Sequence, residues 1–199
     1  MRNFLFKNIL IVFFFIVSTL SYAHCASFNK NIKILYQYEG INYHNNPKDP
    51  GGATKYGITL RTWKSTVNKY ATINTIKSLT KEQAIDFYKL FFWDANNIGL
   101  IKDKSFQTAL FLAEVNLGPY RPNKIAQHLA NSLCDSHLVL DGKLGNNSIN
   151  AFNKCRMTPG YGYVLFYFYS KTPSIQPVWQ WAKKGLRNRV FLSQQHHEG

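Results

Sequence analysis

Acidic residues are scarce in this sequence. Only 10 Asp and Glu residues stand against 24 Lys and Arg, which gives a formal net charge of +14. A chain this basic is expected to be attracted to anionic polymers, although charge affects association rates rather than the fold. Charge alone does not distinguish a selected anionic partner from a generally basic, soluble surface.

Cysteine is also rare, with Cys25, Cys134 and Cys155 the three in the chain. In an oxidising compartment Cys134 and Cys155 could close a loop of about 20 residues, which would stabilise the fold by about 3 kcal/mol. Cys25 would then remain near the N-terminus. A nucleophilic cysteine is an alternative, because His128 and His137 lie near Cys134 in sequence. Two bridged or buried thiols explain the pattern more simply.

Several metal-binding and catalytic patterns are missing. The chain has no His-x-x-x-His pair and no H-E-x-x-H motif of the kind typical of a zinc site. No G-x-S-x-G motif and no phosphate-cradling glycine loop is present. We therefore expect neither a metal nor a cofactor. The chain also lacks repeats and linker-like changes of composition, so we predict one mainly helical domain.

The first 23 residues have the pattern of a secretory signal peptide. Arg2 and Lys7 precede an apolar core from Ile9 to Val17, and the segment ends with the small residue Ala23. We predict cleavage after Ala23, hence a secreted or periplasmic protein that contacts the membrane only through this signal. An uncleaved anchor is the alternative, although the uncharged run is short for a membrane span. Outside the cytoplasm, bacterial wall polymers rather than nucleic acid are the expected anionic partners.

The spacing of apolar residues predicts where the first helix ends. Phe28, Ile32, Leu35 and Tyr38 recur at helical spacing, so Glu39 should lie at or just past the helix end. Residues 41–57 contain two prolines and three glycines. Such a composition predicts an ordered loop or a small hairpin.

Further helices are predicted along the rest of the chain. Thr80 and Gln83 fit a capping box at the start of "LTKEQAIDFYKLFFW". A strongly apolar helix should stop at Gly118-Pro119, and Pro122 should open the next one. Additional helices are predicted in "TLRTWKSTVNKY", "SINAFNK" and "PVWQWAKKGLRNRVFLS". The segment "GYGYVLFYFYS" fits helix or strand.

Glu39 and Asp49 are the two acids with the most evident chemical use. Glu39 follows an apolar helical face, so partial burial should raise its pKa, as a general acid requires. Asp49 lies in a loop rich in backbone N–H groups and should stay ionised. Two carboxyl groups in such different environments are the minimum for cleaving a glycosidic bond. The alternative is structural: Glu39 caps or pairs at a helix end, and Asp49 starts a turn.

A series of landmarks resembles a known family. They are "YEG", "NNPKDPGGATKYGIT", "FFWDANNI", "NLGPYRPNKIAQHL", "LDGKLGNNSINAFN" and "GLRNRV". Together they resemble the glycoside hydrolase family 108 N-acetylmuramidases, which include phage-type endolysins, over about residues 28–192. The resemblance implies a lysozyme-like helical domain with a small loop or β-hairpin lobe beside the catalytic helix. It also implies a catalytic region at 24–122 and a peptidoglycan-binding helical region at 123–199, packed as one compact, monomeric unit.

The resemblance assigns roles to individual residues. Glu39 matches the family's catalytic acid and would protonate the leaving oxygen between N-acetylmuramic acid and N-acetylglucosamine in bacterial peptidoglycan. Asp49, helped by Thr54, would orient a water molecule or stabilise the developing positive charge. Tyr56 could equally be a core residue. The substrate-binding residues that we predict are Tyr43, Tyr56, Thr59 and Asn116.

Some positions depart from the family pattern. Ile41 stands where the family has a second glycine, Asn46 replaces an aspartate usual before the first loop proline, and Leu186 replaces a tryptophan. These changes leave Glu39 intact but leave the second catalytic role open. Two alternatives therefore remain: a catalytically inactive peptidoglycan-binding protein, and a lytic transglycosylase, which needs one key glutamate and forms an anhydro product.

Overall fold

The structure, a computed structural model, describes residues 27–37, 39–46, 49–155 and 157. The predicted signal peptide (1–23), the ambiguous aromatic segment and the predicted C-terminal helix lie outside these residues. The described part contains seven α-helices and one two-stranded sheet, which confirms the predicted mainly helical fold class. No helix in the described part has both the length and the apolar character needed to cross a bilayer.

The elements follow one another along the chain with short connections. Helix α1 covers residues 27–37, and residue 39 is also helical. The others are β1 (Thr54–Lys55), β2 (Ile58–Thr59), α2 (Leu60–Thr66), α3 (Ile73–Lys77), α4 (Lys81–Tyr88), a π-helix (Lys89–Asp94), a 3-10 turn (Ile98–Leu100), α5 (Lys104–Leu117), α6 (Tyr120–Cys134) and α7 (Asn146–Lys154).

Helix α5 lies at the centre of the core. Its residues Phe106, Leu110 and Phe111 are almost completely buried. Phe111 packs edge-on against Trp93 of the π-helix and Phe28 of α1, with ring centroids 5.4 and 6.4 Å apart. The helix ends at Leu117, and Gly118 follows it with a φ of +72°. The predicted stop at Gly118-Pro119 is thus confirmed.

Helix α4 begins with the predicted capping box. The Thr80 hydroxyl accepts a hydrogen bond from the Gln83 N–H, and the Gln83 side chain accepts one from the Thr80 N–H. The helix then continues into the π-helix, which the sequence did not predict. Phe87 and Phe92 are both buried and lie five positions apart, and the same holds for Tyr88 and Trp93. A spacing of five matches the i→i+5 bonding of a π-helix.

The predicted second helix is shorter than expected. It ends at Thr66 instead of extending to Tyr70, and Val67 and Tyr70 are exposed. A short helix, α3, follows and places the buried Ile76 in the core. It was missed because five residues are too few to show a clear apolar period.

Helices α6 and α7 form the C-terminal part of the described chain. Helix α6 begins at Tyr120, so Pro122 lies within its first turn rather than opening it. The predicted division between residues 122 and 123 therefore falls inside a helix. A disulfide joins Cys134 at the end of α6 to Cys155 just after α7, with Cα atoms 5.9 Å apart.

Candidate active site

Glu39 lies at the C-terminal end of α1. Its side chain is half-buried, and one carboxyl oxygen, Oε1, is shielded from solvent. The helix ends here because Gly40 has a left-handed φ of +74°, a conformation that glycine adopts without steric cost. The predicted place of Glu39 at the helix end is confirmed, and its raised pKa stays a prediction.

A tight hairpin borders Glu39. Lys55 of β1 pairs with Ile58 of β2, so Tyr56 and Gly57 form a two-residue turn. Both turn residues have left-handed φ angles, +54° and +78°. This combination is typical of a type I′ turn. A non-glycine residue in this conformation costs about 1–3 kcal/mol, so surrounding contacts must hold Tyr56 in place.

The hairpin turn packs directly against Glu39. A Cβ atom at residue 57 would lie 2.9 Å from the Glu39 Cβ and 2.8 Å from the Tyr88 hydroxyl oxygen. Glycine at this position therefore allows the turn backbone to approach both side chains. The Tyr88 hydroxyl also donates a 2.9 Å hydrogen bond to the Tyr56 carbonyl oxygen. This bond ties the turn to α4.

Three tyrosines form an aromatic layer behind the turn. The Tyr36 ring lies 6.0 Å from the Tyr56 ring and 6.4 Å from the Tyr88 ring, centroid to centroid. Burial raises the pKa of Tyr36 to about 12, with smaller contributions from Tyr56 and Glu82. Tyr56 is half-buried in this layer, which fits the packing alternative. Its contact with a substrate stays a prediction.

Asp49 forms a tight turn in the loop. Its N–H donates to the Asn46 carbonyl at 2.9 Å, and its carbonyl accepts from the Gly52 N–H at 3.0 Å. One carboxylate oxygen, Oδ1, accepts from the Gly51 N–H at 2.8 Å. The bond from Gly51 is that of an Asx turn, and together these contacts fit the structural alternative. A catalytic role opposite Glu39 stays a prediction.

The two predicted threonines hold the loop and the following helix. Thr54 is buried, and its hydroxyl donates to the Gly52 carbonyl at 3.1 Å. Thr59 is the N-cap of α2, where its hydroxyl accepts from the Thr62 N–H at 3.0 Å. Both hydroxyl groups therefore have structural contacts, and their roles in chemistry or binding stay predictions.

The remaining predicted binding residues, Tyr43 and Asn116, are half-buried. Asn116 lies in the last turn of α5, where its side-chain amide donates to the Leu112 carbonyl at 2.8 Å. Their roles in substrate binding stay predictions.

Glu114 is a buried acid to which the sequence pattern assigned no role. It is fully buried in α5, and neither carboxyl oxygen has a hydrogen bond of standard geometry among the described residues. The same holds for the Asn123 side-chain oxygen, while the Asn123 amide nitrogen donates to Gly142 and Asn96. Burial raises the pKa of Glu114 well above its usual range, and the nearby Asn123 amide opposes this weakly. An acid inside the apolar run "ALFLAEVNL" was the available signal.

A polar groove of about 880 Å³ lies between the α6–α7 connection and α7. Asp141, Lys143, Asn146 and Asn150 are among its lining residues. None of the seven predicted catalytic and substrate-binding residues, all of them described, lines this groove. It is therefore a separate feature from the Glu39 region.

Part of the chain matches a known protein family. Residues 32–118 match the family described as Glycosyl hydrolase 108. The matched segment contains Glu39, Asp49 and the other predicted catalytic and substrate-binding residues. None of the curated proteins matches the chain significantly.

The fold is similar to a solved structure, that of Brucella abortus SagA. The TM-score is 0.72 at 24% identity, and the match covers 86% of this chain and 93% of SagA. Residues 32–118, with the helix end, the loop and the hairpin, are thus similar to Glycosyl hydrolase 108, and most of the chain has a fold similar to that of SagA.

Proposed function

We propose that this protein is a secreted lysozyme-like N-acetylmuramidase. It hydrolyses the β-1,4 bond between N-acetylmuramic acid and N-acetylglucosamine in bacterial peptidoglycan. The observation that carries the proposal is the position of Glu39, a half-buried carboxyl at a helix end, packed against a glycine turn inside the segment that matches a glycosidase family.

Glu39 acts as the general acid in this proposal. It protonates the glycosidic oxygen as the bond to the sugar breaks, and a positioned proton donor typically contributes about 10²–10⁴-fold in rate. The shielding of one carboxyl oxygen supports this role, because a desolvated carboxyl holds its proton to higher pH. Water then adds to the anomeric carbon, with Asp49 and Thr54 orienting it or stabilising the positive charge.

The rest of the chain supplies attraction to the substrate. The strong positive charge favours approach to the anionic wall. We propose that the region 123–199 binds peptidoglycan, and the polar groove between α6 and α7 supports this for its described part. Secretion or periplasmic export follows from the proposed signal peptide at 1–23, and the protein acts as a monomer.

A lytic transglycosylase is the second candidate. It is favoured by the contacts of Asp49 and Thr54, because one oxygen of Asp49 and the hydroxyl of Thr54 are engaged within the loop. A transglycosylase needs only the one acid and releases an anhydro sugar without consuming water.

The test is mass spectrometry of the products that the purified full chain releases from purified peptidoglycan. New reducing ends on N-acetylmuramic acid are expected. Anhydro ends would show that the protein is a lytic transglycosylase rather than a muramidase. Retention on the wall without any released product would leave a binding protein.

A further inference from the structure

Tyr88 is almost fully buried at the junction of α4 and the π-helix, with 1% of its surface exposed. A buried phenol normally finds a hydrogen-bond partner. Here the hydroxyl donates to a backbone carbonyl, that of Tyr56, 32 residues earlier in the chain. The bond therefore connects the helical core to the tip of the hairpin.

The acceptor residue is the strained one of the turn. Tyr56 holds a left-handed φ of +54°, which a tyrosine adopts only when its surroundings fix it. The Tyr88 hydrogen bond and the Tyr36 ring are two contacts that do so. Of these, only the hydrogen bond is directional, so it defines where the turn backbone lies.

The position of this hairpin turn then defines the surroundings of Glu39. The Tyr88 hydroxyl oxygen and the Glu39 Cβ are both within 3 Å of the point where a side chain on Gly57 would begin. Tyr88, the turn and Glu39 thus form one continuous contact, and a shift of the turn away from Tyr88 would also change its contact with Glu39.

We propose that Tyr88 is a positioning residue for Glu39: its hydroxyl anchors the Tyr56-Gly57 turn, and the turn holds the carboxyl of Glu39 in place and shields it. The inference rests on the proposed function of Glu39 as an acid. It assigns a directing role to a residue for which the sequence pattern predicted no part in the site.

The test compares Tyr88→Phe with Tyr36→Phe in the full chain. Both variants remove one hydroxyl group from the same aromatic layer. The Tyr36 hydroxyl is buried and has no hydrogen-bond partner among the described residues, so its loss should not move the turn. Thermal unfolding of both variants establishes that each is folded at the assay temperature.

The first readout is the rate of cleavage of soluble, uncrosslinked peptidoglycan strands. We expect Tyr88→Phe to lower kcat about 10-fold with KM within about twofold, because a misplaced acid slows the chemical step rather than binding. Tyr36→Phe should keep the wild-type kcat. Equal kcat values for Tyr88→Phe and wild type, or a change confined to KM, would overturn the inference.

A second readout does not depend on turnover. The pKa of Glu39 can be followed by carboxyl ¹³C NMR, with the signal assigned by its loss in Glu39→Gln. In Tyr88→Phe this pKa should fall, because a displaced turn lets water reach the carboxyl, and in Tyr36→Phe it should stay. An unchanged Glu39 pKa in Tyr88→Phe would refute the positioning role. If the Glu39 pKa falls in Tyr88→Phe but the wild-type protein cleaves no peptidoglycan, the contact between Tyr88, the turn and Glu39 is supported and the proposed function is refuted.

Discussion

At the scale of single residues, two glutamates differ in what surrounds them. Glu39 is half-buried at a helix end beside a turn, whereas Glu114 is fully buried inside α5. The first position leaves part of the side chain exposed to solvent. The second leaves none, so Glu114 serves the fold, close to the Asn123 side chain that connects to Asn96 and Gly142.

Glu114 makes the stability of the protein depend on pH. Below about pH 4.5, its ordinary pKa, the carboxyl is neutral in both the folded and the unfolded chain. As pH rises further, the unfolded chain releases the proton first, because the folded pKa is raised, and the wild-type protein loses stability. Glu114→Gln has no proton to lose, and its amide can donate to the Asn123 oxygen. It should be more stable than wild type by about 1–3 kcal/mol at pH 8 and differ little at pH 4.

Urea unfolding at the two pH values measures this difference. Glu82→Gln, an exposed change on α4, is the control and should shift the unfolding free energy by less than about 0.5 kcal/mol at either pH. A Glu114→Gln effect that is the same at pH 4 and pH 8 would show that the raised pKa is wrong.

At the scale of elements, the hairpin and the first helix together form the candidate site. The helix end was predictable, because the apolar spacing and Gly40 both point to it. The turn was less predictable than the helix end. Tyr56-Gly57 has glycine where a type I′ turn needs it, but tyrosine is an unusual first residue of such a turn. Its conformation depends on Tyr88 and Tyr36, which are distant in sequence. The π-helix was unpredictable for a related reason, since its spacing of five appears only once Trp93 is known to be buried.

Gly57→Ala tests the close contact between the turn and Glu39. The added Cβ would meet Glu39 and Tyr88 at 2.9 and 2.8 Å in a left-handed conformation. We expect a loss of about 1–3 kcal/mol in unfolding free energy and a loss of most activity. Gly118→Ala is the control, since Gly118 also has a positive φ but open space around it. It should lose only the backbone contribution, about 1–3 kcal/mol, and keep its activity. Equal losses of activity in both variants would argue against a tight contact at Gly57.

At the scale of the whole molecule, the disulfide closes the C-terminal part of the described chain. It encloses α7, and Cys134 and Cys155 have a sequence separation of 21. A closure of this length is worth about 3 kcal/mol. Cys134→Ser combined with Cys155→Ala, which keeps the buried position apolar, should lower the unfolding free energy by about that amount. A reducing agent should bring the wild type to the same level and leave the double variant unchanged. A double variant as stable as oxidised wild type would contradict this.

The overall architecture could be predicted from the sequence because most helices carry their own signals. The apolar spacing of α1, the capping box of α4 and the Gly-Pro stop of α5 are local. The bonds of the loop residues were harder to predict. Asp49 and Thr54 bond to Gly51 and Gly52, only two positions away, but these bonds depend on the backbone conformation of the folded loop, which apolar spacing does not indicate. Glu114 shows the same limit, since its burial depends on helices that pack around α5.

The central claim is that Glu39 is the acid of a glycoside-cleaving site. The most direct measurement is the rate at which Glu39→Gln releases soluble glycan from purified peptidoglycan, beside wild type and the exposed Glu82→Gln. We predict that Glu39→Gln is slower by about 10²–10⁴-fold while it still binds the wall, and that Glu82→Gln matches wild type. A Glu39→Gln protein that cleaves at the wild-type rate would contradict the claim.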